Sequence, residues 1–299
     1  MNKDVMLLSN TLVYQNKLQC ANEEVANKTL EIPDIRGFHQ RVHRHSGIGL
    51  SSAAQNESLC HGGAQCWLEM ILNESRSVFF IDTDNVPARE VRVGQSTQNP
   101  TEALIVWQLT EALISAGISE SDIGIISVLR AQLKILSRLF AARPSLDIHT
   151  VDRYQGKDKD CVIVSLVRSN DEQNVGELLK DWRRINVAFT RAKKKLIVVG
   201  SRRTLQGSSV FEQFLQLMER HDWVLKLAPM TQLVHPTLAR SNLSIVQQDA
   251  TTTIDSKEDK ENHFESEGGG SSRQPKVVRV SADVILRNMP TVKTILNSM

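Results

Sequence analysis

The chain has 299 residues, 40% hydrophobic and 23% charged, with a formal net charge of +2. That balance excludes a chain disordered throughout, a collagen-like repeat, and a polycation that holds nucleic acid by overall charge alone. No run of 18 apolar residues occurs and the opening MNKDVMLLSN lacks a signal-peptide pattern, so neither a membrane-spanning helix nor a membrane partner is expected.

Residues 1–27 carry MLLSNTLVYQNKL, whose apolar spacing predicts a helical lead-in ending near Cys20. Residues 28–76 have no sustained period and read as an irregular insertion, rich in histidine at HQRVHRH. From residue 77 strands and helices alternate. SVFFID (77–82) predicts a strand. NPTEALIVWQLTEALISAG (99–117) predicts a helix with Asn99 as cap, Pro100 at the first turn, Glu102 three residues after the cap and Gly117 as the stop. IGIISV (123–128) reads as a strand, RAQLKILSRLFAA (130–142) as a helix, and DIHTV (147–151) and CVIVSLV (161–167) as strands. GELLKDWRRINVAFTRAK (176–193) reads as one helix, KLIVVG (195–200) as a strand and SSVFEQFLQLMERH (208–221) as a helix.

This alternation over residues 77–230 predicts an α/β fold: a parallel sheet covered by helices on both faces, its strands apolar throughout because both sides are buried. In such sheets functional groups gather beyond the carboxyl ends of the strands, and the turn Asp152–Lys159 is expected there. Residues 231–276 shift to a polar, Gly/Ser-rich composition and read as a disordered linker, in which Lys260-Glu261-Asn262 matches a degradation tripeptide too short to carry weight. Residues 277–299 regain apolar residues and form a candidate docking segment.

Charge is local. Residues 150–205 carry 13 Lys or Arg against 7 Asp or Glu, as a polyanion-binding face or a solvated lysine face would. On a helical wheel Trp182, Ile185, Phe189 and Ala192 form the core stripe, and Arg184 and Arg191, seven apart, share one line on the other side. A guanidinium held rigidly is permanently charged and forks onto a phosphate. The four cysteines, Cys20, Cys60, Cys66 and Cys161, fit neither a disulfide framework nor a zinc ribbon, so a reducing compartment and no metal site are expected.

The stretches VDRYQGKDKDCVIVSLVRSN and GELLKDWRRINVAFTRAKKKLIVVGS together resemble motifs V and VI of superfamily 1 helicases of the 5′-to-3′ group. The words RSN and VGELLKDWRR and the opening MNKDVMLLSNTLVYQNKLQC most resemble the eukaryotic DNA replication ATP-dependent helicase/nucleases, over residues 1–25 and 77–227. The resemblance implies the second, C-terminal RecA-like domain of a P-loop NTPase-type motor. Carried over by motif, Gly156 and Asp158 approach ATP, Asp158 by accepting a ribose hydroxyl, and Arg191 is the arginine finger. Gln155 and Arg184 connect the nucleotide edge to the nucleic-acid edge. Thr150 and Val151 lie along single-stranded DNA, Ser127, Arg130 and Gln132 match the motif IV region that holds its backbone, and Asn186 and Thr190 belong to the same interface.

The departures from the family pattern are as informative. Val128-Leu129 stands where the family carries Pro-Tyr, and no Gln-Tyr-Arg precedes Met1. The phosphate loop, the magnesium-binding acidic motif and the nuclease domain with its cluster-binding cysteines have no counterpart in these residues. The expectation is therefore half a nucleotide site, sharing ATP and Mg²⁺ with N-terminal motor and nuclease domains, without an iron–sulfur cluster, and inactive alone. The family implies a nuclear location, with replication and repair proteins as candidate partners. An RNA helicase of the same group shares the motif strings, and a non-enzymatic domain that binds single strands or a partner remains the alternative of another class.

Overall fold

The computed structural model describes residues 1–43 and 66–229, all within one unit, Met1–Ala239. The expectations for Cys60 and the segments beyond residue 230 lie outside the described residues. Six strands make one sheet: β1 Val78–Asp82, β4 Ile123–Ser127, β5 Asp147–Thr150, β6 Lys159–Ser165, β7 Ala192–Gly200 and β8 Val224–Lys226. Their order is β5-β4-β6-β7-β1-β8 and every pairing is parallel. A separate two-stranded antiparallel hairpin, β2 Val91–Val93 and β3 Ser96–Gln98, stands apart from it. The α/β sheet expected from the alternation is therefore present.

Strand side chains alternate between two cores. Phe79, Ile81, Ile125 and Ile163 face one layer, covered by α4 (Trp67–Ile71), α5 (Pro100–Ser115) and α6 (Arg130–Leu139). Phe80, Ile126, Val164 and Val198 face the other, covered by α1 (Lys3–Leu12), α8 (Trp182–Phe189) and α10 (Ser209–Arg220). Trp182 and Phe189 of α8 meet Phe211 and Phe214 of α10 edge-on or tilted, with ring centroids 5.4–6.4 Å apart, a geometry favoured by the ring quadrupoles.

The ends of α5 form where its sequence marks them. The Asn99 side chain accepts from the Glu102 N–H, Pro100 opens the first turn, and Gly117 takes a φ of +93°. The expected helix over 176–193 is corrected. It divides into α7 (Glu177–Lys180) and α8, because Asp181 caps a new helix by accepting from the Arg183 N–H. The helix then stops at Phe189, and Ala192 opens β7, so Arg191 lies in the connecting turn rather than on a helical line with Arg184.

The described parts of 28–76, where the sequence shows no period, contribute to the core. Leu30, Ile32, Phe38, Val42, Leu68 and Ile71 are all buried there. Short elements carry the last four of these: α3 (Ile35–Phe38), a π-helical turn at His39–His43, and α4; a further short helix, α2 (Glu23–Asn27), precedes them. Lys195 of β7 ties the end of this segment to the sheet. Its fully buried amine donates to the carbonyls of Ile71, Asn73 and Arg76 at 3.0, 2.8 and 2.8 Å, and burial pushes its pKa down to about 8.

The connection from β5 to β6 decides where the motif residues fall. Eight residues, 151–158, cross β4, which lies between the two strands. A 3₁₀ turn, Val151–Tyr154, lies across β4 with Tyr154 fully buried against Gly124. A Cβ at Gly124 would come 1.9 Å from the Tyr154 hydroxyl oxygen, so glycine is required at that crossing. The connection leaves the carboxyl end of β5 and delivers residues 155–158 to the amino end of β6. Lys159 stands six residues before Ser165, which pairs with Ser127 at the Thr150 level, so the two ends lie about 20 Å apart along the strand.

Candidate functional site

The sequence-derived residues thus fall on two edges of the sheet, and the placement of the whole 152–159 turn beyond the carboxyl ends is corrected. At the amino edge, Arg191 follows α8 and Asp158 precedes β6. The Lys159 N–H donates to the Arg191 carbonyl at 3.0 Å, which clamps the two turns together. Each nitrogen of the guanidinium then has a partner: Nη1 donates to Asp158 Oδ1 at 2.9 Å, Nε to the Val187 carbonyl at 3.1 Å and Nη2 to Thr190 Oγ1 at 3.2 Å. Asp158 is half-exposed and Arg191 is 21% exposed, so the pair sits at the surface with the arginine the better held. Gly156, at φ +82° with open space where a Cβ would stand, makes the turn beside them, and Gln155 is exposed there. Lys157 and Lys159 reach back to Asp147 of β5, each at 2.9 Å. Burial pushes the Asp147 carboxyl up, but the two ammonium groups outweigh it and hold it down at about 2.

At the carboxyl edge a cavity of about 370 Å³ gathers Thr150, Val151, Arg130 and Arg184 with Gln95 and Thr97 of the hairpin. Arg184 grips Asp152 through Nε at 3.1 Å and through Nη2 at 2.6 and 2.5 Å. Arg130 is exposed at the first turn of α6. Thr150 and Val151 are largely buried and offer mainly their backbone and small side chains to this rim. Arg184 therefore belongs with this group, while Arg191 lies past the end of α8, in the turn that meets Asp158.

Three sequence-derived contacts have their side chains turned into the core. Ser127 is fully buried, and its hydroxyl bonds the Leu129 carbonyl at 3.1 Å while accepting the Leu129 N–H at 3.3 Å. Gln132 is fully buried, donating to the Asn99 carbonyl at 3.0 Å and accepting from the Asn99 N–H at 2.8 Å. Asn186 faces inward, with a buried Oδ1 that has no hydrogen-bond partner. The expectation that Ser127 and Gln132 hold a nucleic-acid backbone is corrected: their polar groups are spent on the rim itself. Thr190 lies with Arg191, not with the cavity.

Two further groups have no role assigned to them from the motifs. Glu102 looks like half of a capping pair, yet its carboxylate turns away from the cap. Oε1 accepts from the Ser165 hydroxyl at 2.6 Å and the Val167 N–H at 2.9 Å, while Oε2 is buried without a partner. Burial outweighs these bonds and pushes its pKa up to about 7. Arg168 and Glu90 form the second pair, at 2.8 Å. The only sequence signal for Glu102 is a charge on a helix whose other faces are apolar.

Among the described residues no group of three or more His, Cys, Asp or Glu side chains could hold a metal ion, and no helix is long and apolar enough to cross a membrane. The order of the parallel sheet and its helices on both faces define a RecA-like domain of the P-loop NTPase type. The chain belongs to the AAA domain family, matched over residues 1–203. It is similar to the DNA replication ATP-dependent helicase/nuclease dna2 of Schizosaccharomyces pombe, 36% identical over 76% of this chain and 15% of the relative. The protein of that name from Mus musculus is 42% identical over 67% of this chain and 18% of the relative, and that from Homo sapiens 38% over 76% and 20%. The chain thus spans a fifth or less of the length of these relatives.

Proposed function

We propose that this chain is the C-terminal motor domain of an ATP-dependent 5′-to-3′ DNA helicase/nuclease of replication and repair, of the kind that processes Okazaki flaps and resects ends. The observation that carries this reading is the meeting of Arg191 and Asp158, 33 residues apart in sequence, at one edge of a RecA-like sheet. In this role Arg191 leaves Asp158 to stabilise charge on the transferring phosphoryl group of ATP, and Asp158 accepts a ribose hydroxyl across the Gly156 turn, with Gln155 at its margin. Thr150, Val151, Arg130 and Arg184 hold single-stranded DNA at the opposite edge. DNA is favoured over RNA because the similar proteins are DNA helicase/nucleases by name.

The phosphate-loop string G-x-x-x-x-G-K-[ST] does not occur in the 299 residues. The lysine and backbone amides that cradle ATP, and the groups that hold Mg²⁺, are assigned to a partnering N-terminal motor domain. Alone, the chain binds single strands without turning over ATP. A nuclear location follows from the same role.

The test is a chimera in which this chain replaces the matching segment of the S. pombe relative. It is expected to hydrolyse ATP with stimulation by single-stranded DNA, and Arg191→Ala to lower that rate by about 10³-fold or more. An Arg191→Ala chimera that turns over at the parent rate refutes the assignment.

A further inference from the structure

Arg168 follows Val167, whose φ of +71° turns the chain just past the carboxyl end of β6. Its side chain is only 13% exposed and that of Glu90 only 11%. Nε of Arg168 donates to Glu90 Oε2 at 2.8 Å. The same oxygen accepts from the Ser169 N–H at 2.8 Å and from Asn170 Nδ2 at 3.0 Å, and the Glu90 N–H donates back to the Ser169 carbonyl at 3.0 Å. Burial pushes the Glu90 carboxyl up, but these donors outweigh it and hold the group below its ordinary value. Glu90 is thus a fixed anion at the foot of the β2–β3 hairpin, locked to the loop that carries Arg168.

Among the described residues, Nε is the one nitrogen of Arg168 with a hydrogen-bond partner. Gly176 leaves room for the guanidinium, since a Cβ there would lie 2.1 Å from Nη1. Arg168 lines the cavity that holds Arg130 and Arg184, where Asp152 is the sole acid. It also borders an adjoining cavity of about 460 Å³, but there Glu90, Asp171 and Glu172 balance the arginines. An anion is therefore drawn to the first side alone. A guanidinium this buried, with two nitrogens unpaired, matches an acceptor that presents two oxygens together.

We propose that Arg168 is a phosphate contact for single-stranded DNA, held in position by Glu90, and that the hairpin bearing Gln95 and Thr97 is the second wall of the groove. This rests on the reading of the cavity as the single-strand site. It adds a contact at Arg168, a residue of the motif V stretch to which the carry-over by motif gave no role.

The experiment is a salt titration of the binding of the 299-residue chain to oligo(dT), comparing four variants. Each phosphate contact to a single strand contributes about 0.7 to the slope of log K against log[salt]. Because Arg168→Gln alone leaves Glu90 without its cation, Arg168→Gln/Glu90→Gln is measured beside it, with thermal melts to establish that both fold. The expected result is a slope shallower by about 0.7 and about tenfold weaker binding at low salt in both variants. Arg168→Lys, which keeps the charge, restores the slope but not the full affinity, a rescue that a structural role alone does not give. Arg184→Gln reports on the cavity itself. If Arg184→Gln lowers the slope and the folded Arg168 variants do not, the proposal is overturned while the single-strand reading stands. If none of the variants changes the slope, both fall.

Discussion

Replacing Glu102 by Gln should make this protein more stable in alkaline solution and leave it nearly unchanged in acid. The carboxyl is fully buried, and one of its oxygens has no donor. Burial raises the pKa from 4.5 to about 7. Between those two values the native state keeps a proton that the unfolded chain has released, so stability falls as pH rises through the window. At 1.36 kcal/mol per unit, the full loss above pH 7 is about 3 kcal/mol. Glutamine keeps an acceptor for the Ser165 hydroxyl and the Val167 N–H but carries no charge. Glu102→Gln is thus expected to exceed the parent by about 1 kcal/mol or less at pH 5 and by about 3 kcal/mol at pH 8. Urea denaturation of both proteins at the two pH values, with equal m-values, measures this. A difference of the same size at pH 5 and pH 8 would show that the carboxyl is not titrating in the fold.

Other perturbations separate structural from functional residues. Gln132→Ala leaves the Asn99 N–H unpaired in the core, while the Asn99 carbonyl keeps the Ala103 N–H, and should cost about 1–3 kcal/mol in denaturant, with the salt slope of oligo(dT) binding at the parent value. Lys195→Met removes the donor shared by Ile71, Asn73 and Arg76; a loss of about 3 kcal/mol is expected, with earlier hydrogen exchange over residues 66–76 than elsewhere. In the chimera, Asp158→Asn frees Arg191 from its partner but keeps the finger. Nucleotide affinity is expected to fall several-fold while single-turnover hydrolysis stays within about tenfold of the parent, in contrast to the collapse expected for Arg191→Ala.

Much of the architecture is legible before any coordinates. SVFFID, IGIISV and KLIVVG are apolar on both faces because helices cover both sides of the sheet, and the one helix with marked ends, 99–117, begins and stops at its marks. The helix over 176–193 reads wrongly because wheel position says nothing about where a helix breaks. Asp181 offers a cap inside an unbroken apolar stripe, and the chain turns at Thr190 to enter β7. The 28–76 region reads as irregular because its buried residues come from several short turns, none long enough to set a period.

Local chemistry determines which residues form strands and which carry charge that can meet a phosphate. Arg184, Arg191 and Asp158 are identifiable from their strings alone. Which of them share a site is a tertiary matter. Thr150 and Asp158 are eight residues apart, yet the connection crosses β4 over Tyr154 and Gly124 and puts them on opposite edges of the sheet. Ser127 and Gln132 look like surface contacts in the sequence, but packing turns their side chains inward, where a buried polar group must find its partner within the fold. Conversely, Arg168 opens the word RSN that marks the resemblance, yet no role attaches to it until Glu90, 78 positions earlier, holds it at the mouth of the cavity. A residue's neighbours along the chain set its local conformation, but only the closed sheet sets which distant groups it faces.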